Sequence, residues 1–155
     1  MTIKTTTHLN FRGTARQALE FYQSGFGGQL IAATYGDFGM PDGVPGADKI
    51  VFSQLENEDG FRIMAYDIPG AETADASGIA GTTTRENDTT ITDRTFFQSV
   101  RGETLDEVAG YWDALAEGAT IIEPLAASAW SPGFGMLTDR FGVTWVLDVE
   151  AAYAG

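Results

Sequence analysis

The sequence predicts an α+β chain in which one βαβββ unit is written twice. Three observations carry that reading. The first is an internal repeat. Phe11-Arg12-Gly13, Phe21-Tyr22, Gly28 and Ile31 are echoed about 90 residues later by Val100-Arg101-Gly102, Tyr111-Trp112, Gly118 and Ile121. The second is helical periodicity behind each Arg-Gly pair: Ala18, Tyr22 and Phe26 in the first copy; Val108, Tyr111, Trp112 and Leu115 in the second. The third is that three strand-length runs follow each helix.

The elements follow in order. Opening strands are expected at about 3–11 and 93–101. Helices are expected at 15–26 and 104–116, with Thr14 and Thr104 as N-caps; Thr104-Leu105-Asp106-Glu107 has the spacing of a capping box. Gly27-Gly28 and Gly118 supply the stops, because glycine enters the left-handed conformation without strain. The remaining strands fall near 29–35, 49–55 and 61–67, and near 119–124, 134–139 and 143–149. This makes one domain, 1–155, with module one at 1–68 and module two at 92–155. Residues 69–91 are rich in Gly, Ala, Thr and Asp and poor in large apolar side chains, so they read as a flexible linker. A second Gly/Pro-rich loop, 37–48, interrupts module one; either segment is a lid or disorder. Phe11, Tyr22, Phe96, Trp112, Trp145 and Leu147 are expected between helix and sheet.

Composition narrows the function classes. With 43% hydrophobic and 20% charged residues, the chain is of ordinary globular make-up. It has no cysteine, which removes disulfides, thiolate nucleophiles and Cys-based metal sites. A formal charge of −13 repels phosphate backbones and argues against nucleic acid as a partner. Such a surface serves solubility or attracts a cationic ligand. MTIKTTTHLNF has no apolar signal region and no run approaches the length of a membrane span, so a soluble, cytoplasmic protein without a membrane partner is expected.

Several local sequences carry a resemblance. Asn10-Phe11 with Gly13 ahead of the helix, Ala18-Leu19-Glu20-Phe21-Tyr22, Phe26-Gly27-Gly28, Met64 with Asp67, and Trp130, Asp139-Arg140-Phe141-Gly142-Val143 and Trp145 resemble the PhnB-like branch of the vicinal-oxygen-chelate superfamily. The resemblance implies a glyoxalase/bleomycin resistance/dioxygenase-like fold, with paired βαβββ modules forming a curved mixed sheet around a cavity. It also implies a homodimer. Activities in the superfamily range from metal-dependent isomerases and dioxygenases to metal-free antibiotic-binding proteins. Some PhnB-like proteins carry a methyltransferase label, but no glycine-rich cofactor loop follows a strand here. Gly133-Phe134-Gly135 lacks the third glycine and the following helix of a dinucleotide fingerprint.

By that resemblance the metal ligands come from the first and last strands of each module. Strand alternation then shows which residues occupy the ligand face. The slots fall near Thr6 (or His8 in an offset register), Met64, Thr95 and Val146. A divalent metal needs several imidazole or carboxylate ligands, and His8 is the only histidine. No metal and no cofactor are therefore expected. His8 is a candidate general base or a cavity hydrogen-bonder. Asp48, Asp67, Asp139 and Asp148 are candidates for a carboxylate pair, although Asp67 and Asp139 end strands, where turn capping is the default. Phe52, Tyr66, Phe97, Trp130 and Phe134 are candidates to wall an apolar pocket with Asn10, Met64 and Val146. The resulting expectation is a metal-free small-molecule-binding protein. The alternative is a lyase- or dioxygenase-type enzyme with a non-standard site, and a third reading is a structural domain whose cavity its own side chains fill.

Overall fold

The computed structural model describes residues 2–70 and 82–151. The chain divides into two compact units, residues 1–75 and 76–155. The first runs β1 (Thr7–Phe11), α1 (Ala15–Phe26), β2 (Gln29–Thr34), β3 (Ile50–Glu56) and β4 (Arg62–Asp67), with a short 3-10 turn at Gly36–Phe38. Its sheet order is β1-β4-β3-β2; β1 and β4 are parallel and the other pairs antiparallel. The second runs β5 (Thr84–Glu86), β6 (Thr89–Ile91), β7 (Gln98–Gly102), α2 (Leu105–Ala116), β8 (Thr120–Ala126), β9 (Phe134–Thr138) and β10 (Thr144–Val149). Its main sheet repeats the plan as β7-β10-β9-β8, with β7 parallel to β10.

Two backbone hydrogen bonds align the copies. Ile68 N–H donates to the Phe11 carbonyl and Glu150 N–H to the Gly102 carbonyl, both at 2.8 Å. Counted from those bonds, His8 matches Ser99, Asn10 matches Arg101, Met64 matches Val146, Tyr66 matches Asp148 and Asp67 matches Val149.

Each helix buries one stripe on its own sheet. In α1 the stripe is Ala15, Ala18, Leu19, Tyr22 and Phe26; in α2 it is Val108, Trp112 and Leu115. The opposing strand faces are Leu9, Phe11, Leu55, Ile63 and Ala65, and Leu137, Trp145, Leu147 and Val149, all buried. Gly135 sits on that helix-facing side because a Cβ there would lie 2.7 Å from the Trp112 ring. Gly28 answers two demands at once: its φ is +101°, and a Cβ would meet the Glu56 carbonyl oxygen at 2.5 Å.

Four expectations need correction. The opening strands are shorter than expected, because a strand pairs only where its neighbour exists. β1 starts opposite Ile63 and β7 starts opposite Trp145, next to the first residues of β4 and β10. Phe96 therefore precedes the sheet and is 55% exposed rather than in the core. Residues 84–91, expected within the flexible linker, form a β5–β6 hairpin in the second unit. Its turn residues Asn87 and Asp88 both have positive φ, 52° and 61°, as a type I′ hairpin turn requires. The part of that linker at 71–81 lies outside the described residues. Finally, Thr14 makes no side-chain cap to α1. Asp67 does that from the end of β4, its carboxylate accepting from the backbone N–H of Gly13, Ala15 and Ile50 at 2.9–3.0 Å.

Candidate functional site

Alternation leaves each sheet with a face turned away from its helix. In the first unit this face carries His8 and Asn10 from β1, Arg62, Met64 and Tyr66 from β4, and Phe52, Gln54 and Glu56 from β3. His8 stands opposite Met64, and Asn10 opposite Tyr66. His8 Nδ1 lies 3.0 Å from Asn10 Oδ1, and the imidazole meets the Tyr66 ring edge-on with centroids 5.3 Å apart. With Asn10 Oδ1 accepting, Nδ1 carries the proton and the Nε2 lone pair is left for another group. The face is open: His8 and Asn10 are exposed, Phe52 is 39% exposed, and Met64 and Tyr66 are half-buried. A groove of about 820 Å³ opens at one end, lined by Ile31, Gln54 and Glu56 of this face and by Phe26, Glu58 and Asp59.

The corresponding face of the second unit is covered on its β9 side, although Ser99 and Arg101 at its β7 edge stay exposed. Arg101 and Asp148, opposite each other in register, form a bidentate pair with N–O distances of 3.0 and 2.8 Å. The β5–β6 hairpin touches the next strand. Arg85 lies over the Phe134 ring, 4.9 Å from its centroid, and Thr90 Oγ1 contacts Met136 Sδ at 3.6 Å. The Arg85 side chain is only 7% exposed; it donates to Thr90 Oγ1 at 2.8 Å and lies 3.6 Å from Glu123. Met136 is 1% exposed. Trp130 meets Phe134 edge-on at 5.2 Å but is itself 52% exposed.

Of the residues predicted for a pocket, His8, Asn10, Phe52, Met64 and Tyr66 share the open face of the first unit. Val146 and Phe134 share the corresponding face of the second, with Trp130 beside Phe134. Phe97 is half-buried but precedes β7 and belongs to no strand. The four carboxylates do not make an acid–base pair. Asp67 is engaged as described, and Asp139 accepts from the N–H groups of Phe141, Val143 and the Trp145 indole at 2.8–3.1 Å. Asp148 is bound to Arg101, and Asp48 is exposed on the 37–48 loop. Arg62 was not among the predicted pocket residues; the available signal was a charge at the start of β4, two residues before Met64 on the same face. Arg85 carried no signal, since its segment read as linker.

The register chooses between the two readings of the first ligand slot and replaces the third. Opposite Met64 stands His8 rather than Thr6, and opposite Val146 stands Ser99 rather than Thr95, which lies outside β7. The pairs are thus imidazole with thioether, and hydroxyl with isopropyl. This donor set does not fit a catalytic divalent metal, which favours nitrogen and carboxylate oxygen. Among the described residues no three His, Asp or Glu side chains converge on one point.

A repeated unit with parallel first and last strands, one helix and an open sheet face defines a class of small paired-module domains. Comparison with known proteins gives the family. The family model for the Glyoxalase/Bleomycin resistance protein/Dioxygenase superfamily matches residues 7–147. The chain belongs to that superfamily, and its fold is that of the PhnB-like branch. Protein YjdN of Escherichia coli (strain K12) is 24% identical over 152 residues, 92% of each chain. Among solved structures, protein PA1353 from Pseudomonas aeruginosa is 28% identical with a TM-score of 0.72, covering 96% of this chain and 98% of its own. A Bacillus cereus PhnB protein, described as a putative 3-demethylubiquinone-9 3-methyltransferase, is 24% identical with a TM-score of 0.65, covering 96% of this chain and 100% of its own. No described helix is long and apolar enough to cross a membrane.

Proposed function

We propose that this protein binds a small, partly apolar molecule on the open face of its first module, without a divalent metal, as a cytoplasmic homodimer. The observation that carries the reading is the contrast between the two faces. One presents a half-buried set of Phe52, Met64 and Tyr66 beside the polar pair His8 and Asn10, the mixture of apolar wall and few oriented polar groups that small-molecule sites use. The other has its apolar β9 side covered by the β5–β6 hairpin and its polar edge taken up by the Arg101–Asp148 pair. The slots that carry metal in relatives of the resemblance hold a thioether, a hydroxyl and an isopropyl group beside one imidazole. This supports binding rather than metal-centred catalysis.

Native mass spectrometry of freshly purified protein tests the whole reading. The expected spectrum shows a dimer carrying substoichiometric organic adducts and no stoichiometric metal. Thermal melts with and without chelator should coincide, since a metal bound only to the folded state would raise the melting temperature. Stoichiometric metal, or a melting temperature that falls on chelation, overturns the metal-free reading. One observation favours a second reading, an enzyme of lyase or dioxygenase type. The Asn10 contact leaves His8 Nε2 able to accept a proton from a ligand on this face. A turnover that disappears in His8→Ala while the ligand still binds would decide for it.

A further inference from the structure

We infer that Arg62 is the anchor for a carboxylate on the ligand of the first module's open face. The inference deepens the proposed function and rests on it. The chain has nine basic residues against 22 acidic ones, so an unused cation is scarce. Lys4, Arg85, Arg94, Arg101 and Arg140 each stand within ion-pair distance of a carboxylate. Lys49 donates to the Gly13 carbonyl, and Arg12 and Arg16 are exposed to solvent. Arg62 differs in that no carboxylate among the described residues stands within ion-pair distance of it; it is half-buried, and its Nε, like that of Arg85, is shielded from water with no hydrogen-bond partner. It pairs in register with Glu56, yet that carboxylate is engaged elsewhere, by Lys4 at 3.6 Å and by the Gln54 amide at 3.2 Å.

A guanidinium in this state has a specific appetite. A buried N–H without a partner costs free energy that a ligand acceptor recovers. Once the side chain turns outward to a ligand, Nε–H and one Nη–H form a parallel fork that fits the two oxygens of a carboxylate side-on. Lys4 and Arg62 flank Glu56, while Glu58 and Asp59 line the adjoining groove, so an acid group would be held by the guanidinium itself and not by a net positive charge at this end. Met64 and Tyr66 follow Arg62 on the same face of β4, with His8 opposite Met64. The ligand class is therefore an amphipathic carboxylate: an acid group at Arg62 and an apolar body over Met64, Tyr66 and Phe52.

The test uses three probes with one skeleton: 3-phenylpropionate, its primary amide, and 3-phenylpropylamine. Each is titrated into the full-length protein and followed by backbone amide NMR shifts. The expected result is that the carboxylate perturbs β1, β3 and β4 and binds at least about tenfold more tightly than the amide. Arg62→Gln should abolish that preference, and Arg62→Lys should keep only part of it, since lysine restores charge without the fork. The melting temperature of Arg62→Gln should be unchanged or higher, because an unsatisfied buried group is removed; a clear fall would show that Arg62 is a structural residue. Equal binding of carboxylate and amide to the native protein overturns the anchor while leaving the binding face intact. Tighter binding of the amine overturns it too, and shows that the acidic groove at Glu56, Glu58 and Asp59 governs. If no probe perturbs this face, the proposed binding function falls and the anchor with it.

Discussion

The two modules share strand order, parallel closing pair and helix position, and they differ in what they do with the face that the helix leaves free. At one matched position the first module has Asn10 opposite Tyr66, and the second has Arg101 opposite Asp148. The first pair leaves polar atoms available. The second satisfies itself with two charge-assisted hydrogen bonds. The hairpin adds to the closure by laying a buried arginine on Phe134. A duplicated unit has thus kept its fold in both copies, while the second copy has covered the β9 side of the face that the first leaves open. The lesson is that strand pairing and helix packing constrain one side of such a sheet and leave the other free to become a site or a plug.

The sharpest way to break the comparison is through the core, where the copies should behave alike. Trp145 is fully buried and its indole N–H donates to Asp139 at 2.8 Å; its match in the first module is Ile63, also fully buried. Trp145→Ala should cost about 3–5 kcal/mol and Ile63→Ala about 2–5 kcal/mol in urea denaturation. A Trp145→Ala loss below about 1 kcal/mol would mean that the helix-facing side of β10 is misassigned.

The helix caps test where the copies diverge. Asp67 starts α1 from a distant strand, whereas its match in the second module is Val149, and α2 is capped locally by Thr104, which accepts from Glu107 N–H at 3.2 Å. Asp67→Ala strands three backbone donors, two of them buried, and should cost roughly 3 kcal/mol or more. Thr104→Ala should cost about 1 kcal/mol, since an exposed cap is partly replaced by water. Similar losses for the two variants would show that Asp67 is not the organising residue of its module.

How much of this was legible depends on the range of the forces involved. Both helices, every strand behind them and the helix-facing alternation follow from local periodicity, and they appear at or within two residues of their expected bounds. Asp67 was readable as a capper by its place at a strand end, but that it would displace Thr14 was not, because the choice depends on a contact 52 residues away in sequence. The start of the opening strands was illegible for the same reason: the length of β4 and β10 sets it. Phe96 followed the alternation and still missed the core, since alternation says nothing about where a strand begins. The hairpin at 84–91 was hidden by composition, as its ordering comes from a positive-φ turn and one buried arginine rather than an apolar stripe. Within the candidate site, His8 and Met64 were found by alternation, whereas the state of Arg62 required knowing that Glu56 is engaged by Lys4.

The smallest expected effect sharpens the comparison at the loops after β2 and β8. In the first module Thr34 N–H donates to Asp37 at 2.8 Å, and Asp37 N–H donates back to the Thr34 hydroxyl at 3.1 Å. In the second module the loop is closed by hydroxyls: Ser131 Oγ lies 2.7 Å from the carbonyls of Gly133 and Val149 and donates its one hydrogen between them, and Ser128 Oγ accepts from Ser131 N–H. Only the first of these closures titrates. The backbone hydrogen bond from Thr34, then its side chain, lowers the Asp37 pKa below its ordinary value of 3.8; desolvation opposes this, and Arg16 adds the smallest lowering. A carboxylate whose folded pKa is depressed stabilises the fold above its unfolded pKa, and that contribution is lost as pH falls through the folded value. Acidification below about pH 4 should therefore lower the protection of amides at 34–39, relative to their intrinsic exchange rate at each pH, while leaving that at 128–133 unchanged. Asp37→Asn should remove the pH dependence of the first loop, because the amide keeps an acceptor oxygen and does not ionise. If both loops open together on acidification, the cause is global unfolding, and the difference assigned to a single carboxylate disappears.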